Sequence, residues 1–462
     1  MNIYHFKRAV VSALPIILDE PPLVGTNHDD GFGYSVDFNN NGTICVVGAP
    51  WFDTTNNGQV KVYKYNATTK LWEQFGQSIT GTSGEQIGYS VAITDDGYRI
   101  VIGSKVPDTS SGAIYIYDYD PTLDDWVETH SIPGVYGFWS GFSVAVNSTG
   151  SIIAFGAPKD DNVNIDNGSV KVFKQQFYSV ADSWQLIGNF AGEASGDNFG
   201  WSVALNSTGD TLAIGAPFND GGGGEASGHV RVYKYSGTGT SWSKLGLDID
   251  GVPASQAGFS VALDNSGTIL AIGNIEDSTF SNKAGVVKTY LFNGSAWNQY
   301  GDTIKGSADD LAGYSVSLNQ TGDVLSVGFP FKDSGNKVDT GATQIYKVRD
   351  SKWLKFYPRI PGRTPTEKSG WSNALSRSAN KIIIGAPDYI VPGTALKKGI
   401  ARIYTLPKQY TFWNINNTTT KTITNFTVTT AISTDEIVIK WGDGTQDSTT
   451  SGVSKTHTYT TI

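Results

Sequence analysis

Four side chains between positions 160 and 166 alternate as oxygen donors, Asp160, Asn162, Asn164 and Asp166, with Gly168 behind them. Alternating carboxylate and amide oxygens on one loop are the chemistry of calcium ligation, which takes about six to eight oxygens. Such a loop also needs a glycine at its sharp turn and a closing Glu. Here Ile165 stands at the turn and no Glu follows. The segment therefore reads as a solvated polar loop, with calcium as the alternative and no cofactor required. A second set is aromatic: Trp51, Phe218, Phe280, Phe331 and Tyr389 each follow a recurring Gly-Ala-Pro position within a few residues. Exposed rings of this kind stack on sugars or anchor a protein partner. Packing against their own sheet is the competing reading.

Constellations for covalent or acid–base catalysis are missing. His5, His28, His130, His229 and His457 share neither a repeat position nor a metal-ligand spacing. There is no Gly-x-Ser-x-Gly elbow, phosphate-binding loop or His-Glu-x-x-His. Adjacent acids such as Asp124-Asp125 and Asp309-Asp310 read as solvated loop residues. Asp53, Asp108, Asp161, Asp220 and Asp333 each stand three residues beyond a Gly-Ala-Pro position, where turn capping accounts for them.

The elements that must position these residues are repeats. A Gly-aromatic-Ser triplet recurs at Gly33-Tyr34-Ser35, Gly88-Tyr89-Ser90, Gly141-Phe142-Ser143, Gly200-Trp201-Ser202, Gly258-Phe259-Ser260, Gly313-Tyr314-Ser315 and Gly370-Trp371-Ser372. The spacings are 55, 53, 59, 58, 55 and 57 residues. Each triplet opens a short alternating strand, as in Val203-Ala204-Leu205, and a polar turn follows, Asn206-Ser207-Thr208-Gly209. A second strand runs into Gly215-Ala216-Pro217, a third alternates as Val230-Arg231-Val232-Tyr233, and a fourth contains Trp242. Trp72, Trp126, Trp184, Trp297 and Trp353 are its equivalents. Four strands per unit without a helical period predict an all-β fold, a seven-bladed β-propeller of four-stranded blades. The triplets are expected to be architectural: the aromatic wedges between adjacent sheets, and the small Ser leaves room for the neighbouring wedge.

The units resemble FG-GAP repeats, the blades of the integrin α-subunit propeller and of related bacterial and viral surface proteins. Phe32-Gly33 and Phe199-Gly200 carry the first half of the motif. Gly48-Ala49-Pro50, Gly156-Ala157-Pro158, Gly215-Ala216-Pro217 and Gly385-Ala386-Pro387 carry the second, with degenerate forms at Gly103-Ser104-Lys105, Gly273-Asn274-Ile275 and Gly328-Phe329-Pro330. The resemblance covers residues 26–407. Integrin-type repeats often hold calcium between their first two strands, but here that position has short turns such as Asn39-Asn40-Asn41-Gly42 and Asp95-Asp96-Gly97. The family's metal sites are not carried over.

Composition agrees. Of 462 residues 54 are Gly and only 17% are charged, while 12 Trp, 22 Tyr and 21 Phe supply large surfaces to bury. A net charge of −9 repels phosphate backbones, which argues against nucleic acid. No apolar run is long enough to span a bilayer as a helix, so membrane insertion is not expected. Cys45 is the one cysteine, read as a buried inert thiol. Lys7 and Arg8 precede the apolar stretch Ala9 to Leu18, but Pro15 interrupts it and Asp19-Glu20 follow, so it is expected to be a strand rather than a signal peptide.

Residues 1–25 are therefore expected to form an arm whose Ala13–Leu18 segment completes the seventh blade. A strand near Trp413 is the rival closure. Beyond residue 407 the chain is Thr-rich, with 17 Thr in the last 55 residues. Ile437 to Thr445, with its Trp441-Gly442-Asp443-Gly444, and His457-Thr458-Tyr459 resemble a PKD-type β-sandwich module. The chain stops at Ile462, where that family has a further Gly-x-Tyr strand, so residues 408–462 are expected to be a partial module.

Loops joining second and third strands vary in length, from Pro50–Gly58 to Pro387–Gly399, while the turns joining first and second strands are nearly uniform. A constant face and a variable face are how a scaffold presents recognition loops. The expected function is a non-enzymatic recognition, adhesion or structural protein on a virus particle or cell surface. It would bind glycan, a surface protein, or other virion or fibre subunits. The alternative is a carbohydrate-active propeller enzyme, a glycosidase or lyase with acids gathered around the channel. Ten Asn-x-Ser/Thr sequons, including Asn41, Asn66 and Asn147, permit glycosylation.

Overall fold

The computed structural model describes residues 16–105, 112–135, 137–161, 163–176 and 183–407, together with the backbone of four short strands further on. Residues Leu18–Thr405 form one compact unit. It is built of seven antiparallel sheets, opened by inner strands Ser35–Phe38, Ile87–Ile93, Ser143–Val146, Ser202–Leu205, Ala257–Leu263, Val316–Leu318 and Ser372–Leu375. These strands begin blades 1 to 7 of a β-propeller. No helix occurs among the described residues.

Second strands such as Ile44–Ala49 and Thr211–Ala216 are buried along their whole length, because a neighbouring blade covers each face. That is why they read as unbroken apolar runs. Outer strands such as Leu71–Gln74 bury only their Trp. The core is distributed between blades: Val46, Ile44 and Val60 of blade 1 meet Val91, Ile93 and Ile102 of blade 2, and comparable clusters recur around the ring. Between blades 6 and 7 the join is partly polar. Asn373 Nδ2 donates to Ser315 Oγ at 2.5 Å, and Ser326 Oγ donates to Asn373 Oδ1. Cys45 lies buried in the blade 7–blade 1 cluster.

The repeated triplet does more than fill space. Each Ser hydroxyl donates to the carbonyl of the next blade's triplet Gly: Ser35 to Gly88 at 2.8 Å, Ser90 to Gly141 at 2.7 Å, and so on until Ser372 returns to Gly33 at 2.8 Å. The same carbonyl faces the Gly of the Gly-Ala-Pro position. A Cβ on Gly215 would stand 2.0 Å from Gly258 O, and one on Gly385 would stand 1.9 Å from Gly33 O. Ser and both glycines are thus one device, a hydrogen-bonded belt that needs bare Cα atoms for backbones to meet.

The ring closes on its amino-terminal arm. Leu23–Val24 pairs with Ile400–Ala401, and the strand ending at Leu18 lies along the outer side of Ile400–Thr405. Asp19 stands where other blades offer an outer-strand carbonyl. Trp126 Nε1 donates to Phe75 O, Trp242 to Ile187 O and Trp297 to Leu245 O, whereas Trp72 Nε1 donates to Asp19 Oδ2 at 3.1 Å. Lys381 Nζ at 2.5 Å and Thr405 Oγ1 at 2.8 Å complete the contacts of that carboxylate. Residues 1–15, with Ala13, and the rival strand near Trp413 lie outside the described residues.

Past residue 407 the structure describes two antiparallel pairs, Asn425–Val428 with Lys455–Thr458 and Ile437–Lys440 with Gln446–Thr449. They do not establish the PKD-type module.

Candidate functional site

The triplet aromatics meet one another around the axis. Ring centroids are 4.8 Å apart for Tyr34–Tyr89, 5.1 Å for Tyr89–Phe142, 4.6 Å for Phe142–Trp201 and 5.5 Å for Trp201–Phe259. The circuit continues at 4.9 Å for Phe259–Tyr314, 4.5 Å for Tyr314–Trp371 and 5.6 Å back to Tyr34. The sequence-derived wedge is therefore a closed collar, and every member is half-buried. Burial pushes the Tyr34, Tyr89 and Tyr314 hydroxyls up, Tyr89 to about 12, so all three stay neutral. Strand direction places the collar at the end of the channel where the variable loops lie.

A second tier stands against the collar. Trp51 meets Tyr34 edge-on at 5.0 Å, Phe218 meets Trp201 at 5.5 Å and Phe331 meets Tyr314 at 6.3 Å. These three share one register, the residue directly after Gly-Ala-Pro or its equivalent. Phe280 and Tyr389 are out of that register and do not join the tier. Phe280, half exposed, lies under Lys305 Nζ at 3.4 Å, and Tyr389 lies beside the Arg402 guanidinium at 5.5 Å.

Two members escaped sequence reasoning. Trp139 stacks on Phe142 at 5.9 Å with 13° between the planes, and Lys105 Nζ stands 4.0 Å from the Trp139 ring centre. Both sit at repeat positions, Trp139 three residues before the triplet aromatic and Lys105 where five of the other six repeats have Pro. The register was the available signal. Residues at the Trp139 position all adopt positive φ, from Gly31 at 65° to Leu311 at 48°. Non-Gly residues held there are strained, a condition that gathers at ligand sites.

Acids do surround the mouth, but structure engages them. Asp30, Glu85, Asp197, Asp310 and Glu367 stand four residues before their triplet aromatics. Each accepts backbone N–H bonds from the loop entering its blade, as Asp197 Oδ2 does from Glu193 at 3.1 Å and Ala194 at 2.9 Å. Asp310 also pairs with Lys332 at 2.9 Å, and Glu367 with Arg402. Asp53, Asp161, Asp220 and Asp333 each accept a backbone N–H within their own loops; Asp108 lies outside the described residues.

At the opposite end the turns are strung together by backbone hydrogen bonds from blade 1 to blade 7. Asn40 N donates to Asp95 O, Asp95 N to Ser148 O, Ser148 N to Ser207 O, Ser207 N to Asn265 O, Asn265 N to Gln320 O and Gln320 N to Arg377 O, all between 2.9 and 3.2 Å. Arg377 then reaches across this floor, its Nε 3.3 Å from Asp95 Oδ1 and its Nη1 3.1 Å from Asn265 Oδ1. Blades 2, 5 and 7 are joined by one side chain. Nearby, Asp37 accepts the Ile93 N–H at 3.0 Å, and burial raises its carboxyl to about 6.

The calcium candidates are dispersed. Asp160 is buried and accepts the Ser169 hydroxyl at 2.5 Å; Asp166 pairs with Lys159 at 2.8 Å; Asn164 Nδ2 reaches Glu193 O at 3.5 Å. Asn162 lies outside the described residues. Among the described residues no three His, Cys, Asp or Glu side chains stand together as a metal would require.

These features define a seven-bladed propeller with a hydrogen-bonded turn face and an aromatic mouth. The family model described as "FG-GAP repeat" matches residues 191–233, from the end of blade 3 through most of blade 4, within a chain that folds as a seven-bladed propeller. No curated protein matches it. Among solved structures, a candidate 6-phosphogluconolactonase from Bacteroides uniformis is similar at 10% identity and a TM-score of 0.48, over 72% of this chain and 86% of that one. At that distance no activity carries across.

Proposed function

We propose that this propeller is a non-enzymatic recognition protein, displayed on a virus particle or cell surface, that takes glycan or protein on its loop face. The observation that carries the reading is the second aromatic tier. Trp51, Trp139, Phe218 and Phe331 are not demanded by the sevenfold repeat, yet they gather at one mouth. Aromatic rings gathered at one mouth and only half-buried are suited to stacking on a ligand. The acids near the mouth support binding rather than hydrolysis, because loop N–H groups, Lys332 and Arg402 occupy them. No metal is part of the proposal. A glycan array, a cell-binding assay and a glycan-hydrolysis assay on one preparation test it. Binding without turnover is the expected result, and turnover of any bound glycan overturns it.

A further inference from the structure

Asn-Gly dipeptides stand in the sequence at Asn41, Asn57, Asn167 and Asn293. Glycine after asparagine leaves the intervening backbone nitrogen unhindered, so that nitrogen can attack the side-chain amide carbon and expel ammonia. The fold withholds the conditions for attack from the first three. Asn167 is 1% exposed, its Nδ2 donates to Gly192 O at 3.1 Å, and Gly168 N donates to Asp160 O at 3.1 Å. Asn57 Nδ2 donates to Asp53 Oδ2 at 2.8 Å, and Gly42 N donates to Asn39 O at 3.1 Å. Asn293 differs. It opens the exposed turn between strands Val286–Phe292 and Trp297–Gln299 of blade 5. Among the described residues neither its Nδ2 nor Gly294 N has an acceptor. Gly294 has φ 97°, with no atom within 4 Å of the place a Cβ would take. Meanwhile Asn293 Oδ1 accepts from Ser295 N at 3.0 Å, Ser295 Oγ at 3.0 Å and Ala296 N at 2.9 Å. Donors gathered on one carbonyl oxygen stabilise the charge that develops there as a nucleophile adds to its carbon.

We propose that Asn293 is a site of spontaneous rearrangement of the backbone. Gly294 N gives its proton to hydroxide and bonds to Asn293 Cγ; the Cγ–Nδ2 bond breaks, and ammonia leaves with a proton from water. The five-membered imide takes up one water at either carbonyl and opens to aspartate or isoaspartate. These products differ in consequence. Blade 2 holds the equivalent turn with an aspartate, Asp120, whose Oδ1 accepts Thr122 N at 2.7 Å and Thr122 Oγ1 at 2.6 Å. Aspartate at 293 therefore keeps the turn. Isoaspartate lengthens the main chain by one carbon beside the Phe292–Trp297 pair, where Trp297 Nε1 ties blade 5 to Leu245 O of blade 4 at 2.7 Å. That product loosens the outer edge of blade 5.

The test holds the folded protein in mildly alkaline buffer and maps its tryptic peptides by mass spectrometry, with aspartate and isoaspartate forms separated by chromatography. Asn293 is expected to convert at least tenfold faster than Asn41, Asn57 and Asn167. Asn66 should be as slow as these, because Ala67 follows it and its Nδ2 donates to Glu73 at 3.0 Å. In urea the Asn-Gly sites should convert at similar rates. Ser295→Ala, with an unfolding temperature matched to the parent, is expected to slow conversion at least twofold by removing the hydroxyl donor. Hydrogen exchange should quicken in Trp297–Gln299 of the isoaspartate form, while Asn293→Asp leaves it unchanged. No conversion at Asn293, or equal rates at every Asn-Gly site of the folded protein, overturns the proposal. An unaltered rate in Ser295→Ala overturns the part given to the Oδ1 donors.

Discussion

Arg402 meets Glu367 fork to fork, Nη1 to Oε1 at 2.6 Å and Nη2 to Oε2 at 3.0 Å, with side chains only 3% and 0% exposed. Because Glu367 also accepts the Arg363 and Thr364 N–H groups, the pair ties the third strand of blade 7 to the loop entering that blade. Removing one partner of a buried pair leaves an uncompensated charge and costs about 3–5 kcal/mol. Arg402→Ala is expected to lose about that much in urea unfolding, and a loss below ~1 kcal/mol would contradict the role given to the pair.

The belt predicts a graded pair of variants. Ser202→Ala removes one neutral hydrogen bond to Gly258 O and should cost about 0.5–1.5 kcal/mol. Gly215→Ala puts a methyl 2.0 Å from that same backbone oxygen, so the blades must separate. Expression and circular dichroism should show the serine variant folded and the glycine variant unfolded or severely destabilised.

Acid dependence should pass through Asp37. Burial holds its carboxyl at about 6 against an ordinary 3.8, so the folded chain keeps this proton to higher pH than the unfolded chain. Its contribution to stability is then greatest below 3.8 and is lost as pH rises to about 6. Asparagine can accept the same Ile93 N–H without the charge. Asp37→Asn is expected to match the parent at low pH and exceed it above pH 6, read as unfolding temperature across the range. Equal profiles would remove Asp37 from the account.

The arm offers a fourth check. Asp19→Ala deletes the acceptor shared by Trp72, Lys381 and Thr405. Hydrogen exchange is expected to quicken in Ile400–Thr405 while the inner strand of blade 4, far round the ring, stays protected. Uniform quickening would mean that the arm is not a local latch.

Blade number, strand order and the aromatic register were legible because one triplet recurs and the period-2 alternation is clean. The serine role was half legible: its smallness shows in sequence, but its acceptor lies some 55 residues away, on the next blade. Trp51, Phe218 and Phe331 could be placed by register, and the same register explains why Phe280 and Tyr389 fall elsewhere. Arg377 could not be read, since turn positions vary in type and its partners Asp95 and Asn265 are 282 and 112 residues distant. Nor could Lys105 over Trp139, because only the ring geometry brings a degenerate motif position against the following blade.

The amino-terminal arm has a consequence for how the molecule is made. Asp19 and Thr405, partners across the closure, are 386 residues apart. At ribosomal rates of about 5–20 residues per second, the arm waits roughly 20–80 s for its partner strand to be made. Until then the first-made segment has no sheet to join, and blade 1 presents a bare flank to solvent. The last blade to emerge is therefore the moment at which a nascent, association-prone arc becomes a closed particle, and a chaperone serving this protein would be needed chiefly during that interval.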